Sequence, residues 1–108
     1  MTSATIPRGN FLMSMVCGPS LTPTALTAST TTAQTYTVPG LQLLDFVEVN
    51  FGGAQTAGVG IVNTRVTAAN TLEIVYSNST AGTPTPAAGV YYIRVSRPEY
   101  VPVPTNAV

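Results

Sequence analysis

Along most of this chain apolar and polar residues alternate at every second position, the period of a half-buried strand. Ala33 to Val38 sets Tyr36 and Val38 on one face and Thr35 and Thr37 on the other. Thr71 to Ser77 groups Leu72, Ile74 and Tyr76, and Val90 to Arg97 groups Tyr91, Ile93 and Val95. Val59 to Val66 sets Val62, Thr64 and Val66 together. Leu43 to Asn50 is apolar on both sides, with Leu43, Val47 and Val49 against Leu44, Phe46 and Glu48, which predicts a strand covered on both faces. Met15 to Leu21 predicts a short first strand, ended by Gly18-Pro19, and Thr22 to Thr32 a loop or weak edge strand. No stretch carries a 3.6-residue stripe, so no helix of consequence is expected. Six to seven short strands between turn signals predict an all-β fold, a small antiparallel β-sandwich or barrel. Its expected core is Val38, Val47, Val49, Val62, Val66, Leu72, Ile74, Tyr91, Ile93 and Val95.

The connections carry their own signals. Pro39-Gly40 reads as a turn, and Gly52, Gly53, Gly58 and Gly60 as a glycine-rich loop region. Ala68-Ala69-Asn70 predicts a hairpin loop in which Asn70 takes the left-handed conformation. That register sets Thr67 against Thr71, Arg65 against Glu73 and Val66 against Leu72. Asn78 to Gly89 is too long for a tight hairpin and is expected to cross between sheets.

The ends differ from the middle. Residues 1–14 have no period and are broken by Pro7 and Gly9, which predicts an extended arm. Ile6, Phe11, Leu12 and Met13 in that arm need a surface to lie on, one that a neighbouring subunit can supply. The β-domain is expected over residues 15–97. Residues 98–108 form a Pro-rich tail in which Pro98, Pro102 and Pro104 deny most ladder bonds.

Composition narrows the function. The chain has 108 residues, one domain's worth, and charged residues are only 7% of it, where soluble proteins carry about 25%. Four arginines balance four acids, and there is no histidine, lysine or tryptophan. Arg8, Arg65, Arg94 and Arg97 make no basic patch, so nucleic acid is not an expected partner. Phe11 to Cys17 is too short to span a bilayer, so no membrane partner is expected. It also lacks the features of a secretory or lipoprotein signal, which suggests a protein retained or assembled in the cytoplasm. Cys17 is single, so no internal disulfide can form, and it reads as a small buried hydrophobe. A domain this small with neither disulfide nor metal is expected to gain stability from oligomerisation or from docking on a larger assembly.

No catalytic, cofactor-binding or metal-ligating residue is expected, and no cofactor. Serines have no histidine to activate them. Asp45 and Glu48 point to opposite faces of a predicted strand and cannot work as an acid–base pair. Asp45 is expected at a strand entrance, accepting backbone N–H bonds from the preceding turn. The glycines near residue 52 lack the helix and the lysine of a phosphate loop. Asn78-Ser79-Thr80 fits an N-glycosylation pattern but has no secretory context. Tyr76, Tyr91, Tyr92, Tyr100, Phe46 and Phe51 are aromatic enough for a sugar platform, although core and interface roles are the commoner use.

Three runs carry a resemblance: Thr35 to Asn50 (TYTVPGLQLLDFVEVN), Ala57 to Thr80 (AGVGIVNTRVTAANTLEIVYSNST) and Thr85 to Val95 (TPAAGVYYIRV). Together they resemble small, low-charge β-domain structural proteins of tailed bacteriophages, including capsid decoration or cement proteins. The shared positions are strands and turns, so no functional residue carries over. The resemblance implies a non-enzymatic virion protein on the capsid exterior, assembled in the host cytoplasm. Its implied partners are the major capsid protein and neighbouring copies of itself in a homo-oligomer. The alternative it leaves open is a head-fibre or tail module that recognises a host cell-surface glycan.

Overall fold

The computed structural model describes residues 10–99 and 103–106. It is all-β, with seven strands in two antiparallel sheets: β1 Phe11–Cys17, β2 Ser20–Leu21, β3 Thr31–Thr37, β4 Phe46–Phe51, β5 Val59–Ala68, β6 Thr71–Asn78 and β7 Gly89–Pro98. In one sheet β7 is central. β1 and the short β2 lie along one side of it, and β4 along the other. In the second sheet β6 is central between β3 and β5. The Asn78 to Gly89 connection joins the two central strands, the crossing its length predicted.

Each central strand buries every second residue. Leu72, Ile74 and Tyr76 of β6 and Tyr91, Ile93 and Val95 of β7 are essentially without solvent contact. Val38, Val47 and Val66 join them, and Val49 packs against them half-buried. Leu21, Leu26 and Leu41 complete the core from loops or short pieces that show no alternation. Phe51 packs on the Tyr91 ring at 4.7 Å between centroids.

Several expectations change. Val62 is 59% exposed. A bulge between Ile61 and Asn63 adds a residue to β5, so Ile61 takes the inward place and Val62 turns out. Leu43 and Leu44 are not in a strand. They lie exposed in a turn, where Leu44 has a φ of 77°, and β4 starts only at Phe46. β4 is therefore covered on one side, with Phe46 63% exposed. The N-terminal arm is shorter than residues 1–14, because Phe11 to Ser14 belong to β1 and pair with β7. Ile6 lies outside the described residues. β7 runs one residue past the expected boundary, with Pro98 opposite Phe11.

The β5–β6 hairpin keeps Arg65 opposite Glu73 and Val66 opposite Leu72. Asn70 is left-handed, with a φ of 61°. Thr67 does not face Thr71. It is the extra residue of a second bulge, and Ala68 takes its place.

The core assignment has a direct check in denaturant unfolding. Leu72→Ala should cost roughly 2–5 kcal/mol, as deletion of a fully buried leucine does. Val62→Ser should stay within about 0.5 kcal/mol of wild type. A large loss at Val62 would contradict the bulge.

Candidate docking face

The two sheets turn different surfaces to solvent. The outer side of the β3–β6–β5 sheet presents Thr31, Thr35 and Thr37, with the Arg65–Glu73 ion pair at 2.8 Å beside them. The outer side of the β1–β7–β4 sheet presents Val16, Val90, Tyr92 and Phe46, and the bulged Leu12 is exposed near the end of β1. Strand alternation alone puts these apolar residues outside, since their neighbours Val47, Tyr91, Ile93 and Val95 take the inward positions.

At the centre of this face Val16 and Glu48 flank Arg94 from the two neighbouring strands. Arg94 pairs with Glu48, and both remain more than half exposed. Such a pair contributes little to stability but favours one register. Tyr92 lies one step along β7. A side chain at Gly18 or at Gly52 would come within 3.2 Å or 2.9 Å of its ring. The two glycines therefore clear the room in which Tyr92 sits between flanking strands. Val16, Glu48, Asn50, Tyr92 and Arg94 line a shallow depression of about 250 Å³.

One end of the same sheet is held by a clasp. Arg97 continues the inward alternation of β7 and meets Asp45 just before β4, through Nε–Oδ1 at 2.8 Å and Nη2–Oδ2 at 2.9 Å. Arg97 also donates to the Gly40 carbonyl, and the Gln42 amide donates to Asp45 Oδ2. The turn-capping expected of Asp45 is present, but its strongest partner lies 52 residues away. Burial alone would push the Asp45 carboxyl up. The hydrogen bonds from Arg97 and Gln42, with the Arg97 charge, outweigh it and hold the group below its ordinary value.

The other candidate groups fall into structural places. Asp45 and Glu48 serve separate ion pairs on opposite sides of the sheet. Asn78 is buried, and all four of its side-chain hydrogen-bonding positions are used. Nδ2 donates to the Thr27 and Gly82 carbonyls, and Oδ1 accepts from the Thr80 amide and hydroxyl. In the folded protein its amide is not open to a sugar. Tyr76 and Tyr91 are buried, while Tyr92 and Phe46 are exposed, so the aromatics form no single platform. Tyr100 lies outside the described residues. Burial raises the hydroxyl of Tyr36, and that of Tyr76 further, where the hydrogen bond between them adds to it, so both stay protonated in the core. Cys17 is half-buried against the core. Among the described residues no three His, Cys, Asp or Glu side chains come together. Gly58 and Gly89 have positive φ, as turn and strand-entry glycines do. No sequence pattern announced the Asp45–Arg97 clasp or the Asn78 hub, because each joins distant segments.

Comparison with known protein families, characterised proteins and solved structures finds no match to this chain.

Two predictions follow from this geometry. The Asp45 pair stabilises the fold fully above the ordinary carboxyl value of 3.8. That contribution should fall away as pH drops through the lower folded-state value. Urea midpoints between pH 7 and pH 2 should show this acid loss in wild type and a flatter profile in Asp45→Asn. At neutral pH that variant should be less stable by about 3 kcal/mol, the low end for a broken buried pair. Asn78→Ala leaves two carbonyls without their donors and should cost about 2–4 kcal/mol in the same measurement.

Proposed function

We propose that this protein is a non-enzymatic structural subunit that attaches to a repetitive protein lattice. Following the sequence resemblance, the lattice is the coat of a tailed bacteriophage, and the role is that of a decoration or cement protein on the virion exterior. The contrast between the two outer faces carries the proposal. One sheet exposes mainly threonines, with Val62 as its one large exposed apolar side chain among the described residues. The other exposes large apolar side chains around a single neutralised ion pair. Exposed apolar area of this kind, rimmed by polar groups, fits a protein contact. The near absence of charge fits a surface that is covered in use.

A second reading, a fibre or tail module that binds a host glycan, has one observation in its favour. In the depression, the Tyr92 hydroxyl and the Asn50 amide make no hydrogen bond within the described protein and sit beside Glu48 and Arg94.

Co-sedimentation with coat particles tests the first reading. Phe46→Ser combined with Val16→Ser removes exposed apolar area without touching the core. Loss of one large apolar contact is worth about 1.5–3 kcal/mol, so attachment should weaken at least about tenfold. Thr35→Ser on the opposite face should change nothing. Unchanged attachment of the double variant would remove this face from the contact. Saccharide binding lost in Tyr92→Ala, with no coat attachment by wild type, would establish the second reading instead.

A further inference from the structure

The strand edges are protected unequally. β4 and β5 approach one another, and Thr64 Oγ1 donates to the Val47 carbonyl at 3.1 Å across that gap. β5 is also interrupted by two bulges, which spoil an edge as a template. β3 exposes threonines. β1 is bulged only at Leu12 near its start, and from Met13 to Cys17 it runs regularly with none of these protections. Its sequence, FLMSMVC, holds no charge, no proline and no glycine. Its inner side pairs with β7, and from Leu12 to Cys17 no described residue pairs with its outer edge.

A second observation comes from Met15. It stands opposite Val95, so it points to the core side of the sheet, yet it is 46% exposed. Met13 and Cys17, on the same side, are only half-buried. The core is therefore unfinished along β1. An uncharged edge from Leu12 to Cys17 beside an unfinished core is a surface that natural proteins normally blunt.

We propose that β1 pairs antiparallel with β1 of a second copy of this chain. The strand is self-complementary in that arrangement. A two-fold axis at Ser14 sets the two Ser14 residues opposite each other, Met13 opposite Met15 and Val16 near Leu12. Apolar residues meet apolar ones on both sides, and no charge is brought against a like charge. An isologous contact needs this match of a patch with itself. Two four-stranded sheets then become one of eight, the exposed methionines cover each other, and the apolar outer face doubles in width. A pairing through one strand is small, so the dimer dissociates on dilution. This deepens the self-association part of the function above but does not depend on coat attachment.

Sedimentation equilibrium of the full chain, from low to high concentration, tests it. The mass should move from 11.2 kDa towards twice that value. Val16→Lys places two charges into the pairing and should hold the protein at the monomer mass with an unchanged melting temperature. Under oxidation Ser14→Cys should give a reducible dimer whose cross-link maps to position 14, because facing strand residues lie within disulfide reach. Thr35→Cys on the far sheet should give no such species. A wild type that stays monomeric, with Ser14→Cys linking no more than Thr35→Cys, overturns the proposal. So does a dimer that survives Val16→Lys and lacks the Ser14→Cys cross-link. Dimerisation that appears only after deletion of residues 1–9 also overturns it, since the chain's own N-terminus then holds the edge. Because Val16 also belongs to the docking face, coat binding is measured separately on the wild type at concentrations below dimerisation, where attachment by the monomer leaves the docking role standing.

Discussion

Two strands hold this molecule together. β6 and β7 each run through the middle of a sheet, and their inward side chains bury one another. Every other strand is a neighbour of one of these two. A small domain buries a modest share of its surface, and here the most completely buried part lies between two segments joined by a single crossing. The crossing is itself tied down. Asn78, at the end of β6, holds the Thr27 and Gly82 carbonyls together, and Tyr91 of β7 donates to the Ala87 carbonyl at the other end.

The interior is more polar than its apolar list suggests. Tyr36 donates to Gln34 and meets the Tyr76 hydroxyl, and the Gln34 amide takes both backbone groups of Thr24. Gln55 joins Tyr91 to the Ala87 amide. Among the described residues no buried side-chain polar atom lacks a partner. These bonds fasten loops that carry no ladder of their own. Leu26 illustrates the gain: it is almost fully buried although it sits in a Thr/Ala/Ser-rich segment, because the loop around it is anchored at Thr24 and at Pro84.

What the sequence disclosed follows from the range over which each interaction acts. Leu72, Ile74 and Tyr76, like Tyr91, Ile93 and Val95, declare their face through strict alternation, and the fold class came with them. The Arg65–Glu73 pairing was legible because the hairpin loop between them is short. Val62 misled, because a bulge resets the alternation and leaves no mark in the local pattern. Leu43 and Leu44 misled for another reason. They have strand-like composition, but Asp45 must reach both Arg97 and the Gln42 amide, and that geometry bends the preceding residues into a turn. A contact spanning 52 residues casts no local signal. The candidate docking face was legible only in part. The alternation of β7 turned Tyr92 outward, but the apolar run around Phe46 predicted a strand covered on both faces, and the contrast with the threonine face appears only when the sheets are assembled.

The distribution of charge then separates β1 from the rest. Arg65 with Glu73 fixes β5 on β6, and Arg94 with Glu48 fixes β4 on β7. Arg97 with Asp45 ties β7 to the connection that leads into β4. The first two, at the surface, add little energy but penalise a slipped register, whereas the third is buried. β1 takes part in none of these side-chain ion pairs. Its register on β7 rests on backbone bonds and on side chains that are only half covered, and it already carries a bulge beside Leu12. In an isolated chain β1 thus loses none of these ion pairs by opening. A second strand along Leu12 to Cys17 would supply both a ladder on that side and cover for the half-exposed methionines.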